Sequence, residues 1–310
     1  MGVLDNIESL FESVGFHISQ RCCARPSCFD FVARKEKQLA FIKVQPNVGS
    51  IYEKDAEDLN TISKLFFGTP LFICDKTRDK PLEDDTVYSR YRVCTLTSMT
   101  LEDLLLKGMG PLIEAGPGGY YVRLDGNDIR KKRLEKGLSM GKMAELMGIS
   151  RRTLYGYERE MAKASVSTAY KLAWVLGSPV AKPIDIFHYP EEAEGIFAAA
   201  KRMITKNRFL QFVVRKLRQS NFSVIQTRRA PFDFVAQSRE NKTNFLGAIV
   251  SEREQNIEVR TEEIVSVSKI VEAQPILVAD SERVCADNVP LIHREDFKKI
   301  KCPEDLIAKL

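Results

Sequence analysis

Histidine is scarce in this chain, three in 310 residues, and no two of its seven cysteines form a Cys-x-x-Cys pair. Cys22, Cys23, Cys28, Cys74, Cys94, Cys285 and Cys302 are scattered, and His17, His188 and His293 lie far from most of them. A structural zinc needs four suitably spaced ligands, so neither a metal nor any other cofactor is expected. An odd number of thiols reads as reduced cysteines; Cys22, Cys23 and Cys28 cluster locally, but buried or incidental thiols are the expectation over redox sensing. No apolar run approaches the ~20 residues needed to span a bilayer. The amino terminus, MGVLDNIESLFESVGF, is amphipathic and acidic, unlike a basic-then-apolar signal peptide, and Asn6 stands where a myristoylation signal needs Ser or Thr. These absences predict a cytoplasmic protein with no membrane partner. Extreme charge is missing too: the net charge is only +5.

What is present begins at residues 127–177, NDIRKKRLEKGLSMGKMAELMGISRRTLYGYEREMAKASVSTAYKLAWVLG. Its punctuation predicts four short helices. Asn127 is a candidate N-cap and Gly137 a left-handed stop; Ser139 opens a second helix that Gly148 ends. Ser150 caps a third, over about 151–159, and Ser165 starts a fourth that closes at Gly177. Apolar residues recur at helical spacing through all four: Ile129, Leu134, Met143, Met147, Leu154, Ala169, Leu172, Ala173 and Leu176. Helix, glycine-containing turn, helix is the pattern of a helix-turn-helix, and Ala144 is small where two helices must cross. Basic residues crowd 123–133 and 151–163 while acidic ones gather at 53–58 and 191–194, so the positive charge is local. A local basic face on a nearly balanced chain suits a DNA binder better than a protein that coats nucleic acid.

This segment resembles the Cro/repressor (XRE) type of helix-turn-helix domain over about fifty residues. The resemblance implies that the start of the third helix enters the major groove, with Ser150, Arg151, Arg152 and Thr153 foremost and Tyr155 and Gly156 one turn on. An arginine can pair with guanine O6 and N7, worth about 1–3 kcal/mol of discrimination. Lys131, Lys132, Lys142 and Lys163 fall where the family touches phosphate, and Arg159 adds to the same basic face. The family's structural ion pair maps onto Arg133 and Glu158. Two departures stand out. Met140 replaces the usual Gln at the start of the second helix, and Gly156 replaces a side chain that often touches a base.

The rest of the chain contains a duplication. FDFVA occurs at 29–33 and again at 232–236, and SKLFFGTPLFICD (63–75) aligns without a gap to SKIVEAQPILVAD (268–280). Each copy predicts the same order: helix (7–14; 209–220), strand (17–21; 223–227), the FDFVA strand, an apolar strand (39–44; 245–250), helix (56–67; 261–273) and a buried strand (71–74; 276–279). This order resembles the restriction-endonuclease-like PD-(D/E)XK fold, particularly archaeal Holliday-junction resolvases. In such enzymes an Asp and a Glu-x-Lys on the next strand hold Mg²⁺ and activate water. Asp30 and Lys43 match, but Phe41 stands at the Glu position; in the second copy Asp233 remains, with Ala248 and Val250 expected at the other two places. Both copies therefore read as nuclease relics, and no enzymatic activity is expected.

The predicted fold class is α/β plus all-α: a central repressor-type helix-turn-helix bundle flanked by two duplicated restriction-endonuclease-like α/β domains. The boundaries read as 1–107 for the first copy, 108–119 for a glycine- and proline-rich linker or hairpin, 120–188 for the reader, 189–206 for a connecting helix, and 207–310 for the second copy. The run LSMGKMAELMGISRRTLYGYERE, the PIDIF segment at 183–187 and the central placement of the reader resemble an archaeal family of helix-turn-helix transcriptional regulators. That resemblance implies a regulator of transcription that binds double-stranded DNA, as a homodimer on a palindromic site, with the transcription machinery a further candidate partner. The competing readings are a structure-selective nuclease and a non-specific architectural DNA binder.

Overall fold

Short apolar runs between turn residues become strands, and amphipathic runs between caps become helices, in a computed structural model that describes residues 2–78, 80–187, 207–238, 243–251, 254, 256–281, 289–300 and 302–307. Two compact units result, one of residues 1–44, 51–71 and 187–310, the other of 45–50 and 72–186. The connecting helix expected over 189–206 lies outside the described residues. No helix among the described residues is long and apolar enough to cross a membrane.

In the first unit, α1 (Val3–Ser13), β1 (His17–Ile18), β2 (Phe31–Lys35), β3 (Gln38–Val44) and α2 (Glu53–Leu65) precede β4 (Thr69–Ile73), within which the division of the chain falls. The sheet order is β1-β2-β3-β4, with β1-β2 and β2-β3 antiparallel. Phe11 and Phe31 meet edge to face at 5.7 Å, and so do Phe29 and Phe41 at 5.5 Å. Such pairs add about 0.5–1.5 kcal/mol each beyond the area they bury.

The same unit holds a second α/β segment. Helix α8 (Arg208–Gln219) leads to β10 (Phe222–Gln226), β11 (Phe234–Ser238) and β12 (Asn244–Val250), then α9 (Ile257–Val271) and β13 (Gln274–Ala279). Its five-stranded sheet runs β10-β11-β12-β13-β14, antiparallel as far as β12 and parallel beyond; β14 is Leu291–His293. Two short helices, α10 (Arg294–Lys299) and α11 (Pro303–Ile307), follow. Phe222, Phe234, Phe245 and Phe297 fill the core beneath α8.

The second unit contains β5 (Thr86–Arg90), β6 (Val93–Leu96), α3 (Ser98–Lys107), β7 (Ile113–Gly116) and β8 (Gly119–Val122). Then come α4 (Gly126–Glu135), α5 (Met140–Met147), α6 (Arg151–Glu158), β9 (Ala164–Ser165) and α7 (Val166–Leu176). Its strands are ordered β6-β5-β7-β8-β9. Within 108–119, Ile113–Gly116 pairs in parallel with β5 and folds back on β8 around Pro117 and Gly118, the latter at φ +84°. That pairing draws residues 72–107 into one compact unit with the helical bundle.

Gly247 sits directly across from Phe234, whose buried ring covers it; a Cβ there would lie 2.0–2.5 Å from three ring atoms. Because the ring is buried and would have to shift within the core, Gly247→Ala is expected to destabilise the carboxy-terminal segment by about 1–3 kcal/mol. Urea unfolding followed by fluorescence or circular dichroism measures it.

Candidate nucleic-acid interface

Four capped helices assemble the bundle. Ser139, Ser150 and Ser165 each accept from the backbone N–H three residues on, at 3.0–3.2 Å, opening α5, α6 and α7. Gly137, Gly148 and Gly177 take φ of +67°, +67° and +74° at the stops. The first cap differs from expectation: Asp125, not Asn127, accepts from the Asp128 N–H at 2.9 Å and opens α4. Gly126 between them explains the shift. A Cβ there would fall 2.5 Å from the Glu158 carbonyl oxygen, so the chain must turn into helix at the point where α4 meets the end of α6. Ile129, Met143, Ala144, Met147, Leu154, Leu172 and Leu176 interdigitate beneath, with Val122 and Leu124 closing one side.

The bundle is tied through charge. Arg133 donates from Nε to Glu158 Oε1 at 2.6 Å and from Nη2 to Oε2 at 3.1 Å, while Nη1 reaches the Leu138 carbonyl at 2.9 Å. Both side chains are sealed, at 8% and 5% exposure, and the Glu158 carboxylate raises the pKa of the guanidinium still further. A bidentate pair between α4 and α6 sets the angle at which α6 is presented.

Arg151, Arg152, Tyr155 and Arg159 are exposed along α6 and its end. The Arg159 guanidinium lies 5.5 Å over the Tyr155 ring. Ser150 and Thr153 share a hydroxyl contact of 2.8 Å besides the cap, so the Ser150 oxygen is committed to the helix terminus before any ligand arrives. Lys142 is exposed and bonded to Glu145 at 3.1 Å, an ion pair weak enough to exchange for phosphate. Lys163 is engaged differently. Glu114 of β7 accepts from it at 2.6 and 2.7 Å and also meets Arg123. Burial would push the Glu114 carboxyl up, but Lys163 and Arg123 bring it below its ordinary value. Lys132 likewise bonds Asp128 and the Pro179 carbonyl. Of the basic residues expected at the interface, those left outward are thus Arg151, Arg152, Lys142, Arg159 and Lys131.

Two glycines that no residue-type signal marks also shape the site. Gly126 admits α6 to α4, and a Cβ at Gly141 would lie 2.9–3.1 Å from the Arg151 guanidinium. Neither residue carries chemistry of its own, and their meaning lies in what a side chain would displace.

The nuclease-like positions can now be placed. Asp30 accepts from Lys43 Nζ at 2.6 Å and from the Val44 N–H at 2.7 Å. Asp233 accepts from the Ile249 N–H at 2.7 Å in the same manner. Its other partners are Arg25 and Arg260, each at 2.7 Å. Burial alone would raise the Asp233 carboxyl; the two guanidinium groups hold it below its usual range. Strand register corrects one assignment. Phe31 pairs with Ile42 and Phe234 with Gly247, so the counterparts of Phe41 and Lys43 are Leu246 and Ala248, rather than Ala248 and Val250. The offset between copies grows by two across the intervening turn. Phe41, Leu246 and Ala248 are fully buried apolar residues with no capacity to ligate a metal.

Residues 1–111 match the model of a PD-(D/E)XK superfamily domain, and residues 129–182 that of a helix-turn-helix. Relatives extend along almost the whole chain. A protein of Thermococcus gammatolerans called "Putative HTH-type transcriptional regulatory protein" is 31% identical over 306 residues, 98% of this chain and 94% of that one. Proteins of the same description from Methanocaldococcus jannaschii (32% identity, 92% of this chain, 88% of that one) and Pyrococcus horikoshii (31%, 97% and 94%) are similarly close.

Removing one member of the sealed pair strands the other charge. Glu158→Ala is therefore expected to cost about 3–5 kcal/mol, far beyond the cost at an exposed pair such as Lys142–Glu145. Chemical denaturation of the two single variants compares them directly.

Proposed function

The chain belongs to the family of archaeal HTH-type transcriptional regulatory proteins, and on that premise we propose that it binds duplex DNA sequence-specifically, reading the major groove with α6. The observation that carries this reading is the outward array Arg151, Arg152 and Tyr155 on a short helix whose angle is fixed from behind by Arg133 and Glu158. Arg151 and Arg152 are assigned to base edges, and Lys142 and Arg159 to phosphate; Ser150 and Thr153 position the start of the helix near the backbone. Lys163 contributes to the interface only by leaving Glu114.

We further propose that the protein acts by binding and not by cleavage. At the aligned nuclease-like positions each α/β segment supplies one carboxylate, Asp30 or Asp233, and each is already neutralised by Lys43 or by Arg25 and Arg260. Matching sheet order and the matching bonds of Asp30 and Asp233 support the reading of the two segments as copies of one ancestral domain. They meet within a single chain. Glu263 accepts from the Cys23 and Ala24 N–H groups at 2.6 and 2.7 Å, and Asp58 reciprocally accepts from the Arg228 and Arg229 N–H groups. Phe29 and Phe232 face each other at 6.5 Å between them. That face is consumed inside the monomer, so the proposed homodimer on a palindromic site uses another surface.

Binding is tested with a duplex selected from random DNA and with scrambled controls. Arg151→Ala or Arg152→Ala is expected to cost about 1–3 kcal/mol and to relax the preference at one base pair. Lys142→Ala should weaken every sequence alike and lower the slope of log K against log salt by about one. Unchanged preference in both arginine variants would remove α6 as the reading helix. Incubation of the duplex with the protein and Mg²⁺ or Mn²⁺ should leave it intact; a cut lost in Asp30→Asn would reinstate a nuclease.

A further inference from the structure

Arg151 occupies an unusual position for a surface arginine. Its guanidinium lies against the first turn of α5, where a Cβ on Gly141 would stand 2.9 Å from Nη2, 3.0 Å from Nε and 3.1 Å from Cζ. The ion pairs of the bundle join Arg123 and Lys163 to Glu114, Lys132 to Asp128, Arg133 to Glu158, Lys142 to Glu145 and Lys182 to Glu160, and leave Arg151 out. Attraction to the helix terminus does not explain the position either, because the amino-terminal end of a helix carries partial positive charge and repels a cation. What admits the guanidinium is the space that glycine leaves.

We propose that Gly141 is a positioning residue for DNA recognition: by lacking a side chain it sets the direction of Arg151, and so the base pair that Arg151 reads. This rests on the reading of α6 given above. A glycine at the second position of a helix is otherwise a poor choice, since alanine is the better helix former there. Any side chain must displace the far end of a flexible arginine rather than backbone, so the fold can absorb the change while the arginine cannot keep its place. Arg152, one residue on, points from a different azimuth of α6 and should not respond.

The test is a double-mutant cycle in the full-length protein, read by binding to the selected duplex and to its single-base variants. Gly141→Ala is expected to keep or raise the thermal midpoint while lowering affinity for the selected duplex on the order of tenfold. The loss should fall at the same base pair that Arg151→Ala relaxes. In the Arg151→Ala background, Gly141→Ala should add nothing. Unaltered base preference in Gly141→Ala, or an equal loss with and without Arg151, overturns the proposal while the role of α6 stands. If Arg151→Ala and Arg152→Ala leave preference untouched, the reading of α6 falls and the proposal with it.

Discussion

A guanidinium and a carboxylate withdrawn from water hold the helical bundle in one arrangement. Arg133 on α4 and Glu158 at the end of α6 meet through two hydrogen bonds, and the third guanidinium edge is spent on the Leu138 carbonyl. Eight residues of helix have little stability alone, because nucleation costs more than so short a run returns. α6 therefore exists as a helix, at its observed angle, through what is behind it: Leu154 and Tyr157 in the core and Glu158 in the ion pair. A buried pair of this kind adds little net stability, but it penalises every arrangement that separates the two charges. The outcome is a stiff platform for the arginines on the opposite face.

The α/β segments use the same physics to a different end. Asp30 and Asp233 each stand immediately before a strand, β2 or β11, and each points its oxygens at a fixed cation and a backbone N–H. Arg25 comes from the first segment to the carboxylate of the second, and it also donates to the Ala230 and Phe232 carbonyls. One of the contacts that join the segments thus also occupies the Asp233 carboxylate. Such an arrangement fixes the two segments against each other.

Much of the bundle was legible because its signals are local. A serine cap and a glycine stop act within four residues, so α5, α6 and α7 follow from residue types alone, and the two α/β helix-strand orders follow from apolar runs. Elements decided by distant partners were not legible. β7 lies in the glycine- and proline-rich run GMGPLIEAGPGGYY, which offered a linker or a hairpin; its parallel pairing with Thr86 and Val87 was not to be read there. β6 and β14 are four and three residues long, too short for a period to declare itself. Asp125 and Asn127 are both capping residues, and the choice between them depends on Gly126 meeting the end of α6. The outward arginines could be read from the sequence; the engagement of Lys163 by Glu114, 49 residues away, could not.

Sequence-specific reading by α6 requires that the bundle distinguish one duplex sequence from another. Repeated selection of random duplex DNA on the full-length protein at physiological salt tests this most directly. The expected result is a consensus of two inverted half-sites one helical turn apart, each holding guanines within reach of Arg151 and Arg152, with the selected duplex bound at least about a thousandfold more tightly than unselected DNA. Recovery of sequences without a consensus, all bound alike and all released by the same modest rise in salt, would contradict it.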